Sequence, residues 1–174
     1  EPKLWGPDNP HLYSADVSLV VQGRVTDRSS VRFGVRSIAV SAARGLTING
    51  EPVKLKGACV HADHGILGAV AIDRAEVRKV QLLKQHGYNA IRVGHHMFPP
   101  AFLDACDELG MLVVDEVFDV WETPKFRNND YSKHFKQHWR NDIERMVRQD
   151  RNHPSVIAWE CSLNESQMPK EFVQ

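Results

Sequence analysis

The chain changes its hydrophobic rhythm once. Up to about residue 45 the pattern has a period of two: after a Pro-rich entry, Leu4-Trp5-Gly6-Pro7-Asp8-Asn9-Pro10-His11-Leu12-Tyr13, apolar residues alternate through Ala15, Val17, Leu19 and Val21 to Gly23, and resume at Val31, Phe33, Val35, Ile38 and Val40. Period-two alternation predicts β-strands with one buried face. So few strands cannot close a two-sheet core, so residues 1–45 are expected to be the C-terminal part of a β-sandwich domain whose remainder lies upstream.

From Leu46 the pattern becomes mixed. Leu46-Thr47-Ile48 and Val53-Lys54-Leu55 flank Asn49-Gly50, a pair that predicts a tight hairpin turn. Beyond it, short apolar runs at 57–60, 88–93, 111–114 and 156–161 alternate with helical segments. Such alternation predicts a parallel sheet, and runs apolar along their whole length predict strands covered on both faces, as in a barrel ringed by helices. Residues 46–174 are therefore expected to form the first half of an α/β (β/α)8 barrel.

The helices carry their own start and stop signals. Asp73 is expected to cap the first, with Glu76 at the reciprocal capping-box position and Ile72 stapled to Val77, and Gly87 ends it. Pro99-Pro100 opens the second, whose Leu103 and Cys106 face inward before Gly110. In the third, Phe135, Trp139, Ile143, Met146 and Val147 share one stripe.

Composition narrows the function. Lys plus Arg and Asp plus Glu stand at 22 each, so no positive field exists to hold nucleic acid or an anionic membrane surface, and a neutral substrate fits better. No apolar stretch approaches the roughly 20 residues a membrane span needs. Cys59, Cys106 and Cys161 are too widely spaced for a zinc site or a disulfide framework and are expected to be small core residues.

The C-terminal ends of the predicted strands collect groups that an apolar core would not choose: His61, Asp63 and His64; Arg92, His95 and His96; Asp115 and Glu116; Glu160, Asn164 and Glu165. In a barrel this rim holds the active site. The segment Arg148-Gln149-Asp150-Arg151-Asn152-His153-Pro154-Ser155-Val156-Ile157-Ala158-Trp159 followed by Asn164-Glu165 resembles the acid/base signature of glycoside hydrolase family 2. Lys56-Gly57 with His61, Asn89-Ala90-Ile91-Arg92 with His95, the run from Leu103 to Glu116, and Val31-Arg32-Phe33-Gly34-Val35-Arg36 extend the resemblance over nearly the whole chain.

The resemblance implies a retaining β-glycosidase, nearest to bacterial β-galactosidases, with β-glucuronidase and β-mannosidase open. Glu165 would be the general acid/base, Asn164 would hold the sugar 2-hydroxyl, and Arg92, His95, His61, Glu116 and Trp121 would line the substrate site. It also implies a nucleophilic glutamate on a later strand, about 5 Å from the acid as retention requires. With the sequence ending at Gln174, the isolated piece is expected to be hydrolytically inactive and to self-associate through its open half-barrel. No cofactor or metal is expected, because the family's metal-binding pattern after the third strand is not matched. Four residues rather than three separate Trp159 from Asn164, leaving open whether Glu160 or Glu165 faces the pocket, and a bulge could absorb the extra residue. Two other readings stand beside this one: a metal-dependent hydrolase barrel using His61 and Asp63 with His64 or His95, and a non-catalytic sugar-binding fragment.

Overall fold

The computed structural model describes residues 1–126 and 129–161. Short strands β1 (Trp5–Gly6) and β2 (Asn9–Pro10) pair at the entry, and β3 (Tyr13–Val21) and β4 (Arg24–Phe33) form an antiparallel ribbon. Its turn, Gln22-Gly23, has positive φ at both residues, the geometry that matches strand twist in a two-residue hairpin. Val17, Leu19, Val20, Val21 and Val25 are exposed, so the ribbon has no core of its own.

Strands β5 (Ile38–Ser41), β6 (Gly45–Ile48) and β7 (Glu51–Pro52) make a second antiparallel sheet. Asn49 and Gly50 both take positive φ between β6 and β7, so the expected turn is present.

The rest is strand–helix alternation: β8 (Gly57–His61), the 3-10 turn 65–67, α1 (Asp73–Gln85), β9 (Ala90–Gly94), α2 (Pro100–Leu109), β10 (Leu112–Glu116), α3 (Ser132–Asp150) and β11 (Val156–Glu160). The four strands are parallel and stand side by side in sequence order. Between β10 and β11 the register shifts at Val113/Val114, opposite Val156 and Ala158, so a bulge falls at Ile157, before Trp159.

Alternation gives each strand two duties. Val80, Ile91, Val93, Phe102, Leu103, Cys106, Met111, Val113 and Val156 form one core between the sheet and helices α1 and α2. On the opposite face, Ala90 and Leu112 pack with Trp5 and Ile48, which plug the N-terminal end of the sheet. Beneath α3, Val117, Phe118, Trp121, Phe135 and Met146 form a third cluster.

The entry segment is bolted to this plugged end. Trp5 Nε1 donates to the Asp107 carbonyl at 2.9 Å, and Arg36 Nη2 donates to the Val156 carbonyl at 2.6 Å. Arg32 pairs with Asp104 and Glu108. Gly34 lies so close to Trp5 and Pro154 that a Cβ there would sit 2.8 Å and 2.7 Å from their side chains. Asp107 accepts from Ser155 N and from His153 Nδ1 at 3.0 and 2.6 Å. The His-Pro-Ser part of the signature therefore docks the chain far from the rim.

Three local expectations are corrected. Residue Ile72, not Asp73, is the N-cap of α1; its side chain cannot cap, and Glu76 turns instead to His64 Nε2, 2.8 Å away. Ile72 itself is exposed, and Val77 packs partly buried against the core under α1 and α2. Cys59 is exposed rather than core, because β8 is an edge of the described sheet; Cys106 is buried and Cys161 half-buried. Gly87 and Gly110 do stop their helices with positive φ, and at Gly110 a Cβ would also collide with the Pro7 carbonyl oxygen at 2.2 Å.

A candidate active site at the C-terminal ends of the strands

Arg92 is the hub of the rim. It projects from β9 between two carboxylates: Nε donates to Glu160 Oε2 at 2.6 Å and Nη2 to Oε1 at 3.2 Å, while Nη2 also lies 3.0 Å from Glu116 Oε2. Paired strands put these residues level, since Glu116 on β10 stands opposite Glu160 on β11 and Val114 opposite Arg92. The fork of donors suits two acceptors that a point charge could not serve together.

His95 completes the group. Its Nδ1 lies 2.9 Å from Glu116 Oε2, so that nitrogen carries the hydrogen and donates to the carboxylate, with Arg92 Nη1 3.3 Å away as a neighbour. The His61 ring meets His95 edge-on with centroids 5.3 Å apart, and Gly94 leaves room for it. Cys59 Sγ lies 3.5 Å from Arg92 Nη1.

Burial and charge oppose each other at Glu116, whose side chain is fully buried. Desolvation pushes its pKa up, and the hydrogen bond from His95 and the charge of Arg92 offset part of that rise. The Arg92 guanidinium is held still more firmly charged by its bond to Glu160, against the cost of burial. The cluster is thus a partly dehydrated, net acidic surface able to accept hydrogen bonds from sugar hydroxyls.

Of the residues expected at the rim, His61, Arg92, His95, Glu116 and Glu160 converge. Asn164 and Glu165 lie outside the described residues. The Trp121 expectation is corrected: its ring is 1% exposed and packs near Phe135 beneath α3, which leaves no face on which a sugar could stack. Asp115 is corrected too. One residue from Glu116, it points through the sheet toward α3, as strand alternation requires. His64 is spent on Glu76, and His96 Nδ1 on the Met97 carbonyl.

The metal-hydrolase set is not assembled, for among the described residues the group with metal-ligand proximity is Asp104, Asp107 and His153. Those side chains instead bind Arg32, the Ser155 amide and one another at the opposite end of the sheet. Sequence reasoning left Glu160 undecided. Its pairing with an arginine was foreseeable, whereas its level match with Glu116 depends on the bulge at Ile157.

Residues 38–174 match the model of the TIM barrel domain of glycosyl hydrolases family 2, and residues 1–36 match another domain model of that family. The chain belongs to glycoside hydrolase family 2. It is 42% identical over 159 residues to a putative β-glucuronidase of Formosa agariphila, covering 91% of this chain and 15% of that protein. It is 38% identical over 159 residues to the β-galactosidase BoGH2A of Bacteroides ovatus, covering 91% and 19%. A crystal structure of a family 2 member from Bacteroides cellulosilyticus superposes with a TM-score of 0.89 at 46% identity, over 94% of this chain and 21% of that one. The chain therefore spans about a fifth of the length of such family 2 relatives, and its four parallel strands are part of the family's catalytic-domain barrel.

Proposed function

We propose that the protein carrying this chain is a retaining β-glycosidase, with a neutral β-galactoside as substrate. The observation that supports it most is the Arg92–Glu116–Glu160–His95 cluster at the strand ends of a family 2 barrel domain. In this reading Glu165 protonates the departing glycosidic oxygen and Asn164 holds the 2-hydroxyl. Arg92, His95, His61 and Glu116 line the sugar site, and a glutamate on a later strand attacks the anomeric carbon. A glycosidic oxygen leaves poorly unless protonated, and a dry site crowded with carboxylates favours an acid that keeps its proton. Residues 1–45 serve as the end of an immunoglobulin-like sandwich that buttresses the barrel floor.

Charge argues for the neutral sugar. Glu116 and Glu160 already occupy the Arg92 guanidinium, so it is not free to pair with a uronate carboxylate. The decisive experiment assays the full-length gene product on nitrophenyl β-galactoside, β-glucuronide and β-mannoside. Preference for the galactoside is expected, preference for the glucuronide overturns the sugar assignment, and binding without cleavage of any favours a non-catalytic role. Self-association of the isolated piece, through the strand edges at β8 and β11, is checked by light scattering.

A further inference from the structure

Directly behind the rim sits a pair of carboxyls that the chemistry above does not use. Asp115, on the helix-facing side of β10, and Asp150, the last residue of α3, are each 1% exposed. They lie within hydrogen-bonding reach of each other, and none of their four oxygens accepts a well-formed hydrogen bond from another described residue. Two buried carboxylates cannot remain side by side with both charges uncompensated. If one is protonated, its O–H donates to the other and satisfies both.

The surroundings favour that state. From α3 the Gln149 amide faces Asp150; from the turn after α3, His153 faces both carboxyls, but it is held on Asp107, which α2 supplies; from β10 the Glu116 backbone faces Asp115. Burial is the largest influence on both acids and raises both pKa values, and the Asp150 carboxyl helps push Asp115 up to about 7.

We propose that Asp115 and Asp150 hold one proton between them, and that this shared proton clamps the back of β10 to the end of α3 and thereby sets how Glu116 is presented on the front. Asp115 and Asp150 are then positioning residues acting through the backbone of a single peptide unit, and the rim becomes sensitive to pH from behind. The pair's ionisation rests on the fold alone. Its effect on catalysis rests on the glycosidase reading.

The sign follows from linkage. A folded state that keeps a proton which the unfolded chain releases near pH 3.8 loses stability as pH rises from there to about 7, and levels off above. One such proton changes the unfolding constant by up to about tenfold per pH unit in that window.

The test uses the full-length protein. Infrared difference spectra between wild type and Asp150→Asn at pH 5.5 to 6 should show a protonated buried carboxyl in the wild type, titrating away as pH rises past neutrality; its absence overturns the shared proton. Melting temperature should fall more steeply between pH 4 and 7 in wild type than in Asp150→Asn, whose amide donates to ionised Asp115 without titrating. Equal slopes overturn the proposal. The ionisation midpoint of Glu116, read from Glu116→Gln difference spectra, should move by at least about half a pH unit in the Asp150→Asn background; an unmoved midpoint removes the link to the rim. Should Asp150→Asn fail to fold, the carboxyl band of Glu165→Gln protein, followed against pH, decides the matter alone. A protein that cleaves no glycoside would sink the proposed function while leaving the infrared result intact.

Discussion

Arg92 Nη2 stands 3.0 Å from Glu116 Oε2 while its Nε stands 2.6 Å from Glu160 Oε2, so one guanidinium ties together carboxylates from two neighbouring strands. Removing it leaves the fully buried Glu116 carboxyl with the hydrogen bond from His95 Nδ1 but without its guanidinium partner. Arg92→Met should therefore lower stability by about 2 kcal/mol, less than a wholly buried pair would lose because Arg92 and Glu160 keep some solvent contact. Arg92→Lys keeps the charge but cannot serve both acceptors, and should cost at least about tenfold in kcat/KM with a smaller loss of stability. Chemical unfolding and steady-state kinetics of the full-length protein separate the two effects. Equal behaviour of the two variants would show that charge alone matters.

The floor of the barrel makes a steric prediction. A Cβ at Gly34 would lie 2.7 Å from the Pro154 ring and 2.8 Å from Trp5, both anchored by hydrogen bonds across more than a hundred residues of sequence. Gly34→Ala should destabilise by about 1–3 kcal/mol through overpacking. Denaturant midpoints measure it, and Gly6→Ala, where the new methyl would meet only Asn49 Nδ2 at an ordinary 3.8 Å and φ is not positive, controls for the loss of glycine alone.

His153 gives the same floor a pH dependence distinct from that of the acid pair. Desolvation lowers its pKa, but the hydrogen bond and charge of Asp107, with the neighbouring Asp104 and Asp150, outweigh this and raise it above 6.5. The imidazolium's contribution is complete below pH 6.5 and disappears as pH rises through the elevated folded value. Stability should thus decline on the alkaline side of 6.5, and His153→Gln should flatten that part of the profile. Asp107→Asn, which weakens bonds to both His153 and the Ser155 amide, should cost about 1–3 kcal/mol at pH 6.

Local rules in the sequence accounted for the strand and helix order. Asn49-Gly50, Gly87 and Gly110 imposed positive φ on chain reversals, and whole-length apolar runs marked the four parallel strands, of which β9 and β10 are covered on both faces while β8, at the edge of the described sheet, is largely exposed. Long-range partners were not legible in the same way. Trp121 looked available to a sugar because nothing local says that Phe135 and Met146 will enclose it. Glu76 looked like a capping residue because His64, twelve residues away, is invisible to a local pattern. Asp115 and Glu116 read as one acidic pair, although strand alternation had already sent them to opposite faces. That oversight concealed Asp150, which needs the packing of α3 to be seen.

The missing cap on α1 offers a gain of stability. Ile72 occupies the N-cap with extended backbone angles, makes no side-chain bond to the first turn and exposes 43% of its surface. Ile72→Asp would place an acceptor beside the unpaired amides of that turn and should stabilise the chain by about 1 kcal/mol. Thermal melting above pH 6 checks this. A loss of stability would mean that Ile72 is covered by contacts outside the described residues.

Glu160 and Glu165 compete for the part of proton donor, and leaving-group chemistry distinguishes them. Glu160 is bound through both oxygens to Arg92, which occupies the positions from which it would deliver a proton. Glu165→Gln should therefore lower kcat by about a hundredfold or more on glycosides with poor leaving groups, where protonation limits the reaction. It should do less harm on nitrophenyl glycosides, whose leaving group departs largely unaided. Glu160→Gln keeps a hydrogen-bond acceptor for Arg92 and should lower both substrate classes by the same, smaller factor. If the selective loss on poor leaving groups appears instead in Glu160→Gln, the assignments of the two glutamates are exchanged, and the bulge at Ile157 becomes the feature that brings the true acid into the pocket.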